Sequence, residues 1–177
     1  LHNHRYFQDF LNFEIHRSRR NDDTFSLIFA DLDYFKKFND TNGHLEGDSL
    51  LRRMADILQK SIRRSDMVAR YGGEEFVIIL PSTAKKQAVI VGEKIRRTVE
   101  NYPFEGRGSQ PGGKVTISVG IAGFPEDGQE RAPLIQSADE AMYRAKKGGR
   151  NRVCVAGAGV AVEDSLSIEQ NDNNVIS

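Results

Sequence analysis

Arg70-Tyr71-Gly72-Gly73-Glu74-Glu75-Phe76 sets two adjacent carboxylates directly behind a pair of glycines, between the apolar runs Val68-Ala69-Arg70-Tyr71 and Phe76-Val77-Ile78-Ile79-Leu80. The two runs read as paired strands, with Gly72 and Gly73 supplying the positive φ angles of a tight hairpin. On the second strand Glu74 and Glu75 are expected to point to opposite faces, so that one reaches a site and the other turns elsewhere. Taken alone, a glutamate pair behind a turn is as consistent with solvated surface as with a cation and phosphate site.

Upstream, Phe25-Ser26-Leu27-Ile28-Phe29-Ala30 is a nearly unbroken apolar run of strand length, the pattern of a strand in the middle of a sheet. It ends in Asp31-Leu32-Asp33. A carboxylate at the exit of a buried strand is costly to desolvate unless a cation or hydrogen-bond donors compensate it. Asp31 is therefore the candidate metal ligand, while Asp33 is expected to cap the next helix, starting Tyr34-Phe35-Lys36-Lys37-Phe38.

Outward from these two segments, helices and strands alternate. Phe7, Phe10, Leu11 and Glu14 fall at helical spacing, as do Leu51, Met54, Ala55, Leu58 and Ile62. A third helix from Thr83 or Ala84 carries Ala88, Val91, Ile95 and Val99, and a last long one carries Ala138, Ala141, Met142 and Ala145. Val115, Ile117, Val119 and Ile121 alternate with Thr116, Ser118, Gly120 and Ala122, which predicts a half-buried strand, and Arg152-Val153-Cys154-Val155 closes as a short one. Glu105 to Gly113 reads as a turn-rich surface connection. The pattern predicts an α+β fold, a mixed central sheet with surrounding helices.

Composition bounds the function. The chain has 177 residues, enough for one domain with its own core, and its 25 basic and 25 acidic residues cancel. That balance argues against a nucleic-acid or membrane-surface binder working through bulk charge. No run reaches transmembrane length. The single Cys154 can form neither an internal disulfide nor a multi-cysteine zinc site, and is expected to be a small apolar filler in a reducing, cytoplasmic compartment. Residues 1–155 are expected to form one domain and residues 156–177 a disordered tail. Leu1-His2-Asn3-His4-Arg5 resembles neither a signal peptide nor a native start, so the chain reads as a piece excised from a longer protein.

Several short motifs stand in order along the chain: Asp31-Leu32-Asp33-Tyr34-Phe35-Lys36, Asn39-Asp40, Gly43-His44, Gly47-Asp48, Arg70 to Phe76, Thr116-Ile117-Ser118-Val119-Gly120, Ala138-Asp139, Tyr143, Ala145-Lys146 and Gly149-Arg150-Asn151. Together they resemble the diguanylate cyclase family, whose catalytic domain carries a GGDEF or GGEEF signature. The resemblance covers roughly residues 3 to 155 and implies a ferredoxin-like core, similar to the palm of nucleotidyl cyclases and polymerases.

It also implies a chemistry: two GTP molecules condense into cyclic di-GMP and two pyrophosphates, each GTP held by one domain of a homodimer. An upstream sensory or receiver domain would supply the input. Mg²⁺, or Mn²⁺, would be held by Asp31, the Leu32 carbonyl and Glu74, an all-oxygen set. Glu74 is the implied acceptor of the 3′-hydroxyl proton, with Glu75 second to it and Lys36 stabilising transition-state charge. Gly72 and Gly73 would let the phosphates approach the main chain. Asn39 and Asp48 match the guanine contacts, with His44 nearby, although an Asp after Gly47 also suits a helix cap and His44 could serve turn packing. Lys146 and Arg150 match triphosphate contacts, although basic residues at a helix C-terminus also complement its dipole.

Arg63-Arg64-Ser65-Asp66 has the Arg-x-x-Asp pattern that the resemblance makes an inhibitory site for the product. Arginine can fork onto guanine and Asp66 can accept from the base, though a surface ion pair would look the same in sequence. Lys94 aligns where family members often supply an arginine, and lacks its planar fork. The competing expectations are a catalytically silent module that binds GTP or cyclic di-GMP, and another nucleotidyl cyclase or polymerase-type palm. The silent type loses a signature acid or glycine, and none is lost here; the other palms share the paired acids but would not carry Arg63-x-x-Asp66.

Overall fold

The computed structural model describes residues 1–157; the expectation of a disordered tail falls outside the described residues from 158 onward. The elements run α1 (His4–Asn21), β1 (Phe25–Leu32), α2 (Phe35–Asn42), α3 (His44–Ser61), β2 (Met67–Arg70), β3 (Glu75–Pro81), α4 (Lys85–Asn101), β4 (Ile117–Phe124), α5 (Arg131–Lys147) and β5 (Val153–Val155), with two short 3₁₀ turns before β4. The strands form one sheet ordered β2-β3-β1-β4-β5. β1 pairs antiparallel with both β3 and β4, whereas β4 and β5 run parallel, so the sheet is mixed. This is the α+β, palm-like fold expected from the sequence.

The apolar run at 25–32 becomes the central strand because all eight of its residues are buried. Its alternation divides two cores. Ile28, Ala30 and Leu32 join Phe76, Ile78, Met54, Leu58, Ile95 and Val99 on the face covered by α3 and α4. Leu27 and Phe29 join Phe7, Leu11, Val77, Leu134, Ala138 and Met142 on the face covered by α1 and α5. α1 is started by Asn3, whose side chain accepts from the Tyr6 N–H at 2.9 Å, and is ended by Asp22 in a left-handed conformation after Arg19 and Arg20.

Three expectations change. β4 is not half-buried: every residue from Ile117 to Phe124 is buried. The small side chains that alternate with its aliphatic ones do not face water; they let α5 lie directly on the strand. At Gly120 a Cβ would run into the Ala138 carbonyl and the Met142 N–H of α5. Second, the helix that could have started after Gly47 already begins at His44, directly behind Gly43, which has φ 89°. Third, the connection at 105–113 is tethered, because Gln110 within it and Phe104 just before it are buried.

Cys154 is buried in β5 beside Ala141 and Ala145, as a small apolar filler would be. No helix among the described residues is long and apolar enough to cross a membrane.

The Gly120 contact gives a direct test of helix–strand packing. Gly120→Ala must push α5 backbone off the sheet, with no flexible side chain to yield, and is expected to cost about 3 kcal/mol. Urea unfolding measures this, and an unchanged midpoint would contradict the packing.

Candidate active site

One end of the sheet gathers the acidic residues. The β1–β3 register sets Asp31 opposite Glu75, and the Leu32 N–H donates to the Glu74 carbonyl at 3.3 Å, so the hairpin loop is bonded to the exit of β1. Glu74 lies in that loop and not in β3, which begins at Glu75. Assignment of the two glutamates to opposite faces of one strand therefore fails for Glu74.

The glycines also act differently from expectation. Neither Gly72 nor Gly73 adopts a left-handed φ. A Cβ at Gly73 would meet nothing within 4 Å, and one at Gly72 would meet only the Glu75 side chain. Positive φ is thus not what these glycines provide, whereas the room expected beside them is open at Gly73. Arg70, given no separate role in the sequence reading, holds the loop: its Nε donates to the Gly72 and Gly73 carbonyls at 3.2 and 3.1 Å.

Asp31 is buried, and Lys146 from the last turn of α5 places Nζ 2.8 Å from its Oδ2. Burial pushes the Asp31 carboxyl up to about 6; Lys146 pulls the other way, and the nearby Glu74 and Glu75 charges push further upward. Three carboxylates thus share one end of the sheet with Lys146. Among the described residues no group of three His, Cys, Asp or Glu side chains forms a ready cage for an ion. Two carboxylates and a main-chain carbonyl are nevertheless the kind of partial set that Mg²⁺ uses, because it keeps waters and takes the rest of its ligands from substrate phosphates.

Asp33 corrects a sequence expectation. It does not cap α2, whose N-cap is Tyr34 in a left-handed conformation with no side-chain cap bond. Only 2% exposed, Asp33 accepts from Thr116 Oγ1 and Ser118 Oγ, both at 2.7 Å, and from the Asn151 N–H at 3.0 Å. It ties β1, the start of β4 and the α5–β5 loop together. Arg150 on that loop lies with its guanidinium carbon 4.5 Å from the centre of the Tyr34 ring. Tyr34 and Asn151 are site-forming residues to which the sequence reading gave no role; the signal available was their position beside Asp33 and Arg150.

The α2–α3 pair holds the remaining candidates. Asn39 leans on Gly47, where any Cβ would collide with its Oδ1, and that oxygen is buried without a partner. Asp48 lies in the second turn of α3, past the N-cap Gly43, so the capping alternative is removed. It shares an open cavity of about 620 Å³ with Leu51, Arg52, Arg70, Gly72 and Phe76. His44 is exposed at the first residue of α3, and Lys36 is exposed on α2.

Arg63 and Asp66 stand apart from this cluster, on the turn between α3 and β2. Asp66 accepts from the Arg63 main-chain N–H at 2.8 Å, not from its guanidinium, so the pair is a turn closure and not an ion pair. Lys94 is exposed on α4, and the structure records no hydrogen bond or ion pair between it and that turn.

The sequence profile "Diguanylate cyclase, GGDEF domain" matches residues 1–152. Response regulator PleD of Caulobacter vibrioides is 41% identical over 153 residues, which are 86% of this chain and 34% of PleD. The chain thus spans about a third of the length of the curated relatives it matches. Among solved structures, the GGDEF domain of DgcB from Caulobacter crescentus in complex with c-di-GMP superposes with a TM-score of 0.81 at 34% identity, covering 89% of this chain and 92% of that one. The active GGEEF domain of a diguanylate cyclase from Vibrio cholerae gives 0.75 at 31% identity, over 82% and 90%. With its Gly-Gly-Glu-Glu hairpin bonded to the acidic end of the central strand, the chain belongs to the GGDEF family of diguanylate cyclase domains.

Proposed function

We propose that this domain is a working diguanylate cyclase, joining two GTP molecules into cyclic di-GMP with release of two pyrophosphates. The observation that carries the reading is the buried Asp31 carboxylate, paired with Lys146 and facing Glu74 and Glu75 where the glycine loop meets β1. Phosphoryl transfer asks a protein mainly for alignment and charge neutralisation, and this end of the sheet offers both. Mg²⁺, with Mn²⁺ as a substitute, would be held by Asp31, the Leu32 carbonyl and Glu74. When bound it would neutralise charge on the triphosphate.

The chain's own residues do the rest. Glu74 accepts the 3′-hydroxyl proton, with Glu75 beside it, and Lys36 stabilises the charge that develops on the α-phosphate. Lys146 and Arg150 contact the triphosphate, and Gly72 and Gly73 leave room for it against the loop. The Asp48 carboxylate is an acceptor, the complement of the two adjacent N–H donors on guanine, and the Asn39 amide is the second guanine contact. His44 at the start of α3 is a further substrate contact. Because each 3′-hydroxyl attacks the other nucleotide, two copies must face each other as a homodimer. Product cyclic di-GMP binds at Arg63 and Asp66, with Lys94 a weaker contributor, and feeds back on turnover.

Mass detection of cyclic dinucleotide from purified protein, GTP and Mg²⁺ tests the whole reading, and GTP binding without product would favour a silent module. Glu74→Ala should keep the fold and lose the product. Gly73→Ala, which meets open space, should change stability by no more than about 0.5 kcal/mol yet lower turnover at least tenfold. Arg63→Ala should leave initial turnover unchanged and relieve inhibition by added cyclic di-GMP.

Asp31 makes a prediction about the metal-free protein. Its folded carboxyl holds a proton up to about pH 6, above the ordinary 3.8, so stability falls as pH rises through that window and levels off above it. Asp31→Asn should therefore melt higher than the parent at pH 8, with the difference vanishing toward pH 4. Mg²⁺ should raise the parent's melting temperature and leave that of the variant unchanged.

A further inference from the structure

Three successive residues of the α5–β5 loop have left-handed backbone: Gly149 at φ 115°, Arg150 at 65° and Asn151 at 45°. Glycine adopts this region freely and asparagine tolerates it, but arginine gains nothing locally from it. Such a residue persists only where its surroundings hold it. The Arg150 N–H donates to the Ala145 carbonyl at 2.9 Å, and the Arg150 carbonyl accepts from Arg152 Nε at 3.1 Å. These bonds fix the ends of Arg150.

The stronger restraint comes from Asn151. Its main-chain N–H is held by Asp33 on one side of the loop. On the other, its side-chain amide is used at both ends: Oδ1 accepts from Arg96 at 2.8 Å and Nδ2 donates to Glu100 at 3.1 Å. Arg96 and Glu100 are themselves bonded at 3.0 Å on α4, and Arg96 also pairs with Glu93. The loop is thus strung between the buried end of β1 and a charged cluster on α4, with Arg150 between them and its guanidinium over Tyr34. The amide offers the acceptor that Arg96 needs and the donor that Glu100 needs on two separate atoms.

We propose that Asn151 is a positioning residue that fixes Arg150 for contact with the substrate's triphosphate, and that Arg96 and Glu100 of α4 are its anchor. This rests on the reading of Arg150 as a triphosphate contact and extends it: the geometry of a phosphate-binding arginine is set from a helix on the far side of the loop, by groups that touch no substrate.

Calorimetric binding of inorganic tripolyphosphate tests it without requiring turnover. Asn151→Gly keeps the N–H to Asp33 and the left-handed φ while removing the amide. Arg150→Ala and Asn151→Gly should each weaken binding about tenfold, and the double variant should bind no more weakly than Arg150→Ala alone. Asn151→Asp should also weaken binding, and Glu100→Gln added to it should restore affinity, because that pair exchanges donor and acceptor.

Parent-like binding by Asn151→Gly or by Arg150→Ala overturns the proposal, as do losses that multiply in the double variant. Failure of the exchanged pair to recover removes α4 as the anchor, and that pair decides the matter if Asn151→Gly does not melt cooperatively. Should the binding pattern hold while GTP gives no cyclic dinucleotide, the cyclase reading falls and the positioning role stands. A parent that forms cyclic dinucleotide but binds no tripolyphosphate overturns the positioning role and leaves the cyclase reading standing.

Discussion

A carboxylate at the end of a strand that has protein on both faces must be compensated, and at Asp31 the compensation is partial. Lys146 reaches it, but Glu74 and Glu75 add two further negative charges at the same end of the sheet. Everything nearby follows from that imbalance. β1 tolerates the buried acid because its interior is flanked by β3 and β4, and because Asp33, two residues on, is saturated by two hydroxyls at the start of β4 and an N–H of the α5–β5 loop. The two aspartates of Asp31-Leu32-Asp33 thus divide their labour. Asp33 is closed off and holds structure together, whereas Asp31 stays underneutralised.

Much of this was legible in the sequence, and the parts that were not share a cause. The apolar run at 25–30 announced a central strand because burial on both faces leaves no polar alternation to confuse it. The Gly-Gly-Glu-Glu hairpin and the alternation of helices and strands pointed to the mixed sheet, and Asp31, Glu74 and Lys146 do converge. Ser118 and Gly120 misled because a hydroxyl bonded to a buried acid, or a glycine under a closely packed helix, looks, in one dimension, like a residue facing water. Asp33 misled because an acid before a helix suits a cap, and only the tertiary arrangement shows Thr116, Ser118 and Asn151 around it. Gly72 and Gly73 were read both as turn formers and as room beside the main chain; the turn half fails because glycine's backbone freedom, its commonest use, is not drawn on at either position.

The site is assembled from elements with unequal stiffness. β1 and α5 are embedded in the two cores, and so are the main chains that carry Asp31 and Lys146. The glycine loop and the α5–β5 loop have no core of their own and borrow order from side chains: Arg70 for the first, Asp33 and Asn151 for the second. Arginine and asparagine recur in these tethers because each presents several hydrogen-bonding groups in fixed geometry.

The placement of β1 has a kinetic consequence. Its two partners lie far down the chain, β3 beyond α2, α3 and β2, and β4 later still, so the central strand cannot be completed by local pairing. Topologies rich in such distant pairings acquire their order slowly, since the chain must close large loops before those contacts reward it. The acidic end of the sheet therefore rests on the pairings that close the largest loops, those that bring β3 and β4 to β1.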